Sequence, residues 1–142
     1  MDQPVIGRLE RLLPVACVAG AVVLFASQLM TLFEFVPPGA EAIDERSAIA
    51  DHGHAMFIVA GFAILATFVA VFAPSKPAAI AVGAMGVLAL LFFLLTDLPD
   101  AGQIGTIDDA RQSFIDAEAV PQVGFWLEML GSLALAISGI AL

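Results

Sequence analysis

Four apolar blocks, residues 12–33, 55–73, 77–95 and 120–142, occupy most of the chain, and the charged residues fall almost wholly between them. Each block approaches the roughly 20 residues that a helix needs to cross hydrocarbon. Backbone polar groups in lipid must be satisfied within the segment, so blocks of this kind are expected to be helices. With 61% hydrophobic residues and a mean hydropathy of +0.99, the chain is well above the roughly 45–50% apolar content of soluble domains. The expected fold is all-α, an integral membrane four-helix bundle in which residues 1–142 form one four-span domain. The first block follows Arg8 and Arg11 and precedes a small-residue stretch, Ala40-Glu41-Ala42, as a signal peptide would. It exceeds the usual apolar core of about 7 to 15 residues, so a retained helix is expected.

Between the second and third blocks lies only Pro74-Ser75-Lys76-Pro77, a tight hairpin between antiparallel helices. The other two connections are longer and acidic. Arg8, Arg11 and Lys76 then share one side, while Arg46 and Arg111 lie among carboxylates on the other. Counting Lys and Arg places both termini and the short hairpin in the cytoplasm of a multi-pass cell-membrane protein. Trp126 would sit near the outer interface, where indole rings concentrate.

A net charge of −9 disfavours nucleic acid and anionic headgroups as partners. The lipid bilayer and another membrane or extracytoplasmic protein fit better, and Asp44, Glu45, Asp108 and Asp109 are the expected partner surface. A lone cysteine, Cys17, precludes an intrachain disulfide and is expected as a small core residue.

The two long loops share ordered features. Glu34 and Asp97 end the first and third blocks, Gly39 and Gly102 follow at the same offset, and Ile43-Asp44-Glu45 matches Ile107-Asp108-Asp109. This suggests a tandem repeat of two helical hairpins, residues 1–73 and 74–142, related by an axis along the membrane normal. Composition alone would also produce two similar acidic loops. Each loop is expected to make a short helical turn, with Asp44 or Asp108 near its N-terminus.

Small residues mark the faces where membrane helices approach closely. Taken at spacings of three and four, such stripes carry Ser27, Thr31 and Glu34 in the first span, His52 at the start of the second, Asp97 at the end of the third and Glu128 in the fourth. If the stripes face one another, three carboxylates and an imidazole converge toward the outer end. Glu128 lies about six residues, on the order of 9 Å, inside its helix, where an ionised carboxylate facing lipid would be costly. Glu34, His52, Asp97 and Glu128, with Ser27, Thr31 and Ser132 along a pathway, form the candidate ion cluster. The ordinary alternative is a polar plug that keeps the helices in register.

His52-Gly53-His54 invites a metal reading, but positions i and i+2 of a helix point about 200° apart and cannot clamp one ion. No metal site or cofactor is expected on that ground. No Gly-x-Ser-x-Gly elbow, nucleotide-binding glycine loop or paired His-Glu zinc motif occurs, so no catalytic residue is expected and the chain is not read as an enzyme. The four-span layout is similar to that of claudin-like proteins, yet the first loop lacks their tryptophan and paired cysteines. Small fluoride channels and multidrug exporters differ in helix pairing and signature residues, so no family is assigned. Two functional expectations remain: a non-enzymatic accessory or assembly subunit presenting acidic outer loops, or a small proton or cation channel or transporter, as a homo-oligomer, using the acidic and histidine cluster.

Overall fold

The computed structural model describes residues 3–109 and 112–142, with side chains described for 11–105 and 116–142. The chain is mostly helical, but it also carries a four-stranded antiparallel sheet. In order, the elements are α1 (Gln3–Ser27), β1 (Thr31–Val36), β2 (Asp44–Ser47), α2 (Ala48–His52), α3 (Ala55–Phe72), α4 (Lys76–Phe92), a π-turn (Phe93–Asp97), α5 (Leu98–Asp100), β3 (Ile104–Asp109), β4 (Gln112–Pro121) and α6 (Val123–Ala141). The long helices α1, α3, α4 and α6 pack in a ring, each against the next, and α6 closes it onto α1. Three helical segments, Ala55–Phe72, Lys76–Asp100 and Val123–Ala141, are long and apolar enough to cross a membrane, while the shorter apolar stretch of the first helix runs Arg11–Ser27.

The sheet corrects the all-α expectation, and its cause is a shift in where the first helix lies. At 25 residues, α1 is about 37 Å long and ends at Ser27, with its apolar stretch running Arg11–Ser27. The segment Thr31-Leu32-Phe33-Glu34-Phe35-Val36, rich in β-branched and aromatic residues, is thereby released to pair as a strand. Its start is tied to the bundle by three successive turn hydrogen bonds, from the backbone N–H groups of Gln28, Leu29 and Met30 to the carbonyls of Phe25, Ala26 and Ser27. β1 accepts β2 on one side and β4 on the other, and β3 pairs outside β4, giving the order β2-β1-β4-β3. Val120 and Pro121, read from sequence as the start of the fourth span, end β4 instead.

The loop helices are corrected as well. Asp44 opens β2 and Asp108 lies in β3, so neither sits at a helix N-terminus. A short helix, α2, does lead into α3, but it begins only at Ala48. At the other end, the proline-flanked hairpin behaves as the sequence suggests: Ser75 caps α4, its Oγ accepting from the Ala78 N–H at 3.4 Å, with Pro77 in the first turn. The strand pairing lends the repeat no support. A two-fold relating α1 to α4 and α3 to α6 leaves the helix ring unchanged, but it would pair β3 with β2, whereas the sheet is joined through β1 and β4. Glu34 and Asp97, the anchors of the match, lie in a strand and a π-turn respectively.

The helices approach closely where glycines face backbone. A Cβ on Gly20 would stand 2.8 Å from the backbone nitrogen of Leu135, one on Gly131 would stand 2.6 Å from that of Leu24, and one on Gly86 would collide with the backbone of Ala136. Small-residue contacts of this kind are the main packing device of helices in lipid. Cys17, Ala21, Leu24, Met56, Ala60, Ala63, Val82, Ala89 and Leu135 fill the bundle, with Cys17 a free, buried core thiol as expected. A second layer, Leu32, Phe33, Phe93 and Phe125, joins the bundle to the sheet, its rings 4.9 Å (Phe93 and Phe125) and 5.6 Å (Phe33 and Phe125) apart.

Candidate buried His–carboxylate site

At the sheet end of the bundle four elements deliver polar side chains to one place. His52 closes α2, and Gly53 follows with φ 60° and ψ −130°, a backbone conformation that breaks the helix before α3. The break turns the His52 ring inward, against the edge of Phe92 with centroids 5.0 Å apart. His54, beyond the break, is exposed and lies over Phe57 at 6.3 Å. The two histidines therefore part, as helical spacing would also have them do.

Asp97 arrives on the π-turn Phe93–Asp97, a wide turn of the kind often found at functional sites. Thr96 steadies it: its Oγ1 donates to the Phe92 carbonyl at 2.7 Å and also lies 3.2 Å from Asp97 Oδ1. Glu128 enters from α6. His52 Nε2 stands 3.0 Å from Asp97 Oδ1 and 3.8 Å from Glu128 Oε1, with all three side chains 2% exposed or less. On the other face of the ring, His52 Nδ1 lies 3.5 Å from Asp51 Oδ2. Asp51 in turn pairs through Oδ1 with Arg46 at 3.0 Å, and the Arg46 guanidinium covers the Phe35 ring at 5.2 Å.

Gln28 completes the group from the end of α1. Its Nε2 donates to Glu128 Oε2 at 2.9 Å and to Ser27 Oγ at 3.1 Å. Four buried atoms are left without a hydrogen bond: Gln28 Oε1, His52 Nε2, Asp97 Oδ2 and Glu128 Oε1. The His52–Asp97 contact is close but lies outside hydrogen-bond geometry. Burial pushes the His52 imidazolium toward deprotonation, but the contact with Asp97 and the charges of Asp97, Glu128 and Asp51 outweigh it and hold the pKa above its ordinary 6.5. The site attracts positive charge.

Three of the four residues expected to converge, His52, Asp97 and Glu128, do so. Glu34 does not: it lies on β1 and accepts from Gln122 Nε2 at 3.0 Å. Thr31 also faces the sheet, its Oγ1 donating to Glu45 Oε2 at 3.3 Å. Ser27 and Ser132 donate to their own helices, to the Leu24 carbonyl at 2.7 Å and the Met129 carbonyl at 3.1 Å. Ser132 is satisfied within its own helix, whereas Ser27 also accepts from Gln28 Nε2 and so touches the cluster at one edge. Gln28 and Asp51 are the residues that the sequence reading missed. Gln28 had a signal, an amide on the face of Cys17, Ala21 and Leu24 at spacings of three and four.

Asp44 and Glu45 are exposed on the edge strand β2. Asp108 and Asp109 lie in β3, and their side chains fall outside the described residues.

Three helices long and apolar enough to cross a membrane, with an ionisable cluster buried where they meet a small sheet, support a membrane protein. No family model, curated protein or solved structure matches the chain.

Proposed function

We propose that this chain is a small, non-enzymatic, four-span membrane protein that binds a cation at the extracytoplasmic end of its bundle, as the binding step of a small channel or transporter held closed. The observation that carries the reading is the set of four buried polar atoms outside any hydrogen bond, contributed by Gln28, His52, Asp97 and Glu128, with His52 Nε2 in ion-pair range of both carboxylates. A buried polar group without a partner costs on the order of 1–3 kcal/mol, and more when charged. Such a concentration is readily accounted for by a positive ligand that satisfies several of the atoms at once. Ionisable residues at membrane depth mark ion sites by default. In this reading α1 is the fourth span, and Arg11 and Lys76 place the helix end opposite the sheet in the cytoplasm.

The test is flux. Full-length chain in liposomes should carry protons or a metal ion, and Glu128→Gln should abolish that flux; unchanged flux in the variant overturns the reading.

A second reading, an accessory subunit meeting a partner protein through its acidic outer surface, has its own support. The inner half of the bundle is closed by backbone contacts at Gly83, Gly86 and Gly139, and the edge strand β2 exposes Asp44 and Glu45. It predicts that the isolated chain moves no ion and that Asp44→Asn with Glu45→Gln weakens capture of the partner.

A further inference from the structure

We propose that the cation is a divalent first-row transition metal, zinc in type, ligated by His52 Nε2 and by the carboxylates of Asp97 and Glu128. The inference rests on the cation-binding reading above and names its ligand. In a tetrahedral site with bonds of about 2.0–2.1 Å, neighbouring ligand atoms stand about 3.3–3.4 Å apart. The separations of His52 Nε2 from Asp97 Oδ1, 3.0 Å, and from Glu128 Oε1, 3.8 Å, lie on either side of that edge, within a few tenths of an ångström. Two of these three ligand atoms, Nε2 and Glu128 Oε1, have no hydrogen-bond partner, and Asp97 offers its unpartnered Oδ2 as well. Gln28 Oε1, also unpartnered, supplies a further oxygen beside Glu128.

The fourth residue argues for the metal in a different way. A ligating imidazole almost always donates its second ring N–H to a carboxylate or carbonyl, which fixes tautomer and orientation. Asp51 Oδ2 stands 3.5 Å from His52 Nδ1, on the side of the ring away from the two carboxylates. Asp51, His52 and Asp97 each place a ligand atom within 4.8 Å of the others. Asp51 is itself held by Arg46, so the carboxylate is positioned before any ion arrives. We assign Asp51 the positioning role at His52 Nδ1, its carboxylate also lying within reach of an ion shared with His52 and Asp97. Neutral imidazole with carboxylates suits zinc and its neighbours in the series. Calcium, which takes six to eight oxygens, and magnesium, which keeps several waters, are poorly served by a buried site with an imidazole nitrogen.

The experiment uses the full chain purified in detergent, titrated with zinc or with cobalt(II), whose visible absorption reports tetrahedral coordination. One ion per chain is expected, with X-ray absorption showing a single imidazole among oxygen ligands. Asp97→Asn and Glu128→Gln should lose detectable binding, Asp51→Asn should weaken it by about 10–100-fold, and His54→Ala should leave it unchanged. Circular dichroism and size exclusion identify variants that fail to fold, and the wild-type X-ray absorption stands without any variant. Two imidazoles in the coordination sphere, or full binding by Glu128→Gln, overturns the ligand assignment. If the wild type takes up no zinc, cobalt or manganese at millimolar concentration, the metal inference falls. Glu128-dependent proton flux in liposomes would then leave the cation-binding reading standing, whereas absence of both metal uptake and flux sinks the two together.

Discussion

Gln28 shows how one side chain can decide the state of another. Its amide nitrogen is the hydrogen-bond donor to Glu128 Oε2, and both groups are fully buried. Gln28→Leu keeps the approximate volume but strands that oxygen in an apolar setting. The expected loss is about 1–3 kcal/mol of stability, read from chemical denaturation in detergent. A change within experimental error would mean that Glu128 finds a replacement donor and that the amide is incidental. Gly53 acts through the backbone. Nothing lies within 4 Å of where its Cβ would stand, so space is not the obstacle, but its φ of 60° with ψ −130° is a conformation that L residues rarely adopt. Gly53→Ala should therefore cost about 1–3 kcal/mol and displace His52, which the same denaturation experiment and the cobalt titration would both register.

Among the elements, contact between α1 and α6 is the most extensive of the helix packings, and glycine makes it close. A Cβ on Gly131 would reach within 2.6 Å of the Leu24 nitrogen, so Gly131→Ala must push the two helices apart, at a cost of about 1–3 kcal/mol. Gly61 in α3 faces open space, and Gly61→Ala should be neutral or slightly stabilising, since alanine is the better helix former by about 1 kcal/mol. Thermal stability of the two variants, measured side by side, tests whether close approach and not glycine content holds the bundle. The π-turn at Phe93–Asp97 belongs to this scale too. By widening the helix for one turn it brings Asp97 inward, while Leu94 and Leu95 remain exposed on the outside.

Across the whole molecule, the sheet and the ionisable cluster occupy one end and the Lys76 hairpin the other. If the sheet end is extracytoplasmic, a cysteine introduced at Ala40 should react with an impermeant maleimide on intact cells, and one at Ser75 only after permeabilisation. Cys17 is buried, so it contributes little background. The reverse labelling pattern would invert the proposed orientation. At the sheet end, β1 is hydrogen bonded on both sides, and the aromatic layer of Phe33, Phe93 and Phe125 packs it against the bundle.

Hydrophobicity and helical spacing are local properties, and what depended on them could be read directly. The apolar helices, the proline hairpin and the buried faces through Met56, Ala60, Ala63 and Thr67 or Gly124, Glu128 and Ser132 follow from one residue's distance along a helix from the next. What the tertiary structure decided were the contacts that bring together distant parts of the chain. Residues 31–36 are as apolar as a helix end, and pairing with β2 and with β4, some 85 residues later, makes them a strand; Glu34 leaves the cluster for that reason. Gln28 meets Glu128 across 100 residues of sequence because α1 and α6 touch. Periodicity assigns a side chain to a face, but which atoms meet on that face depends on packing between elements, which no single segment encodes.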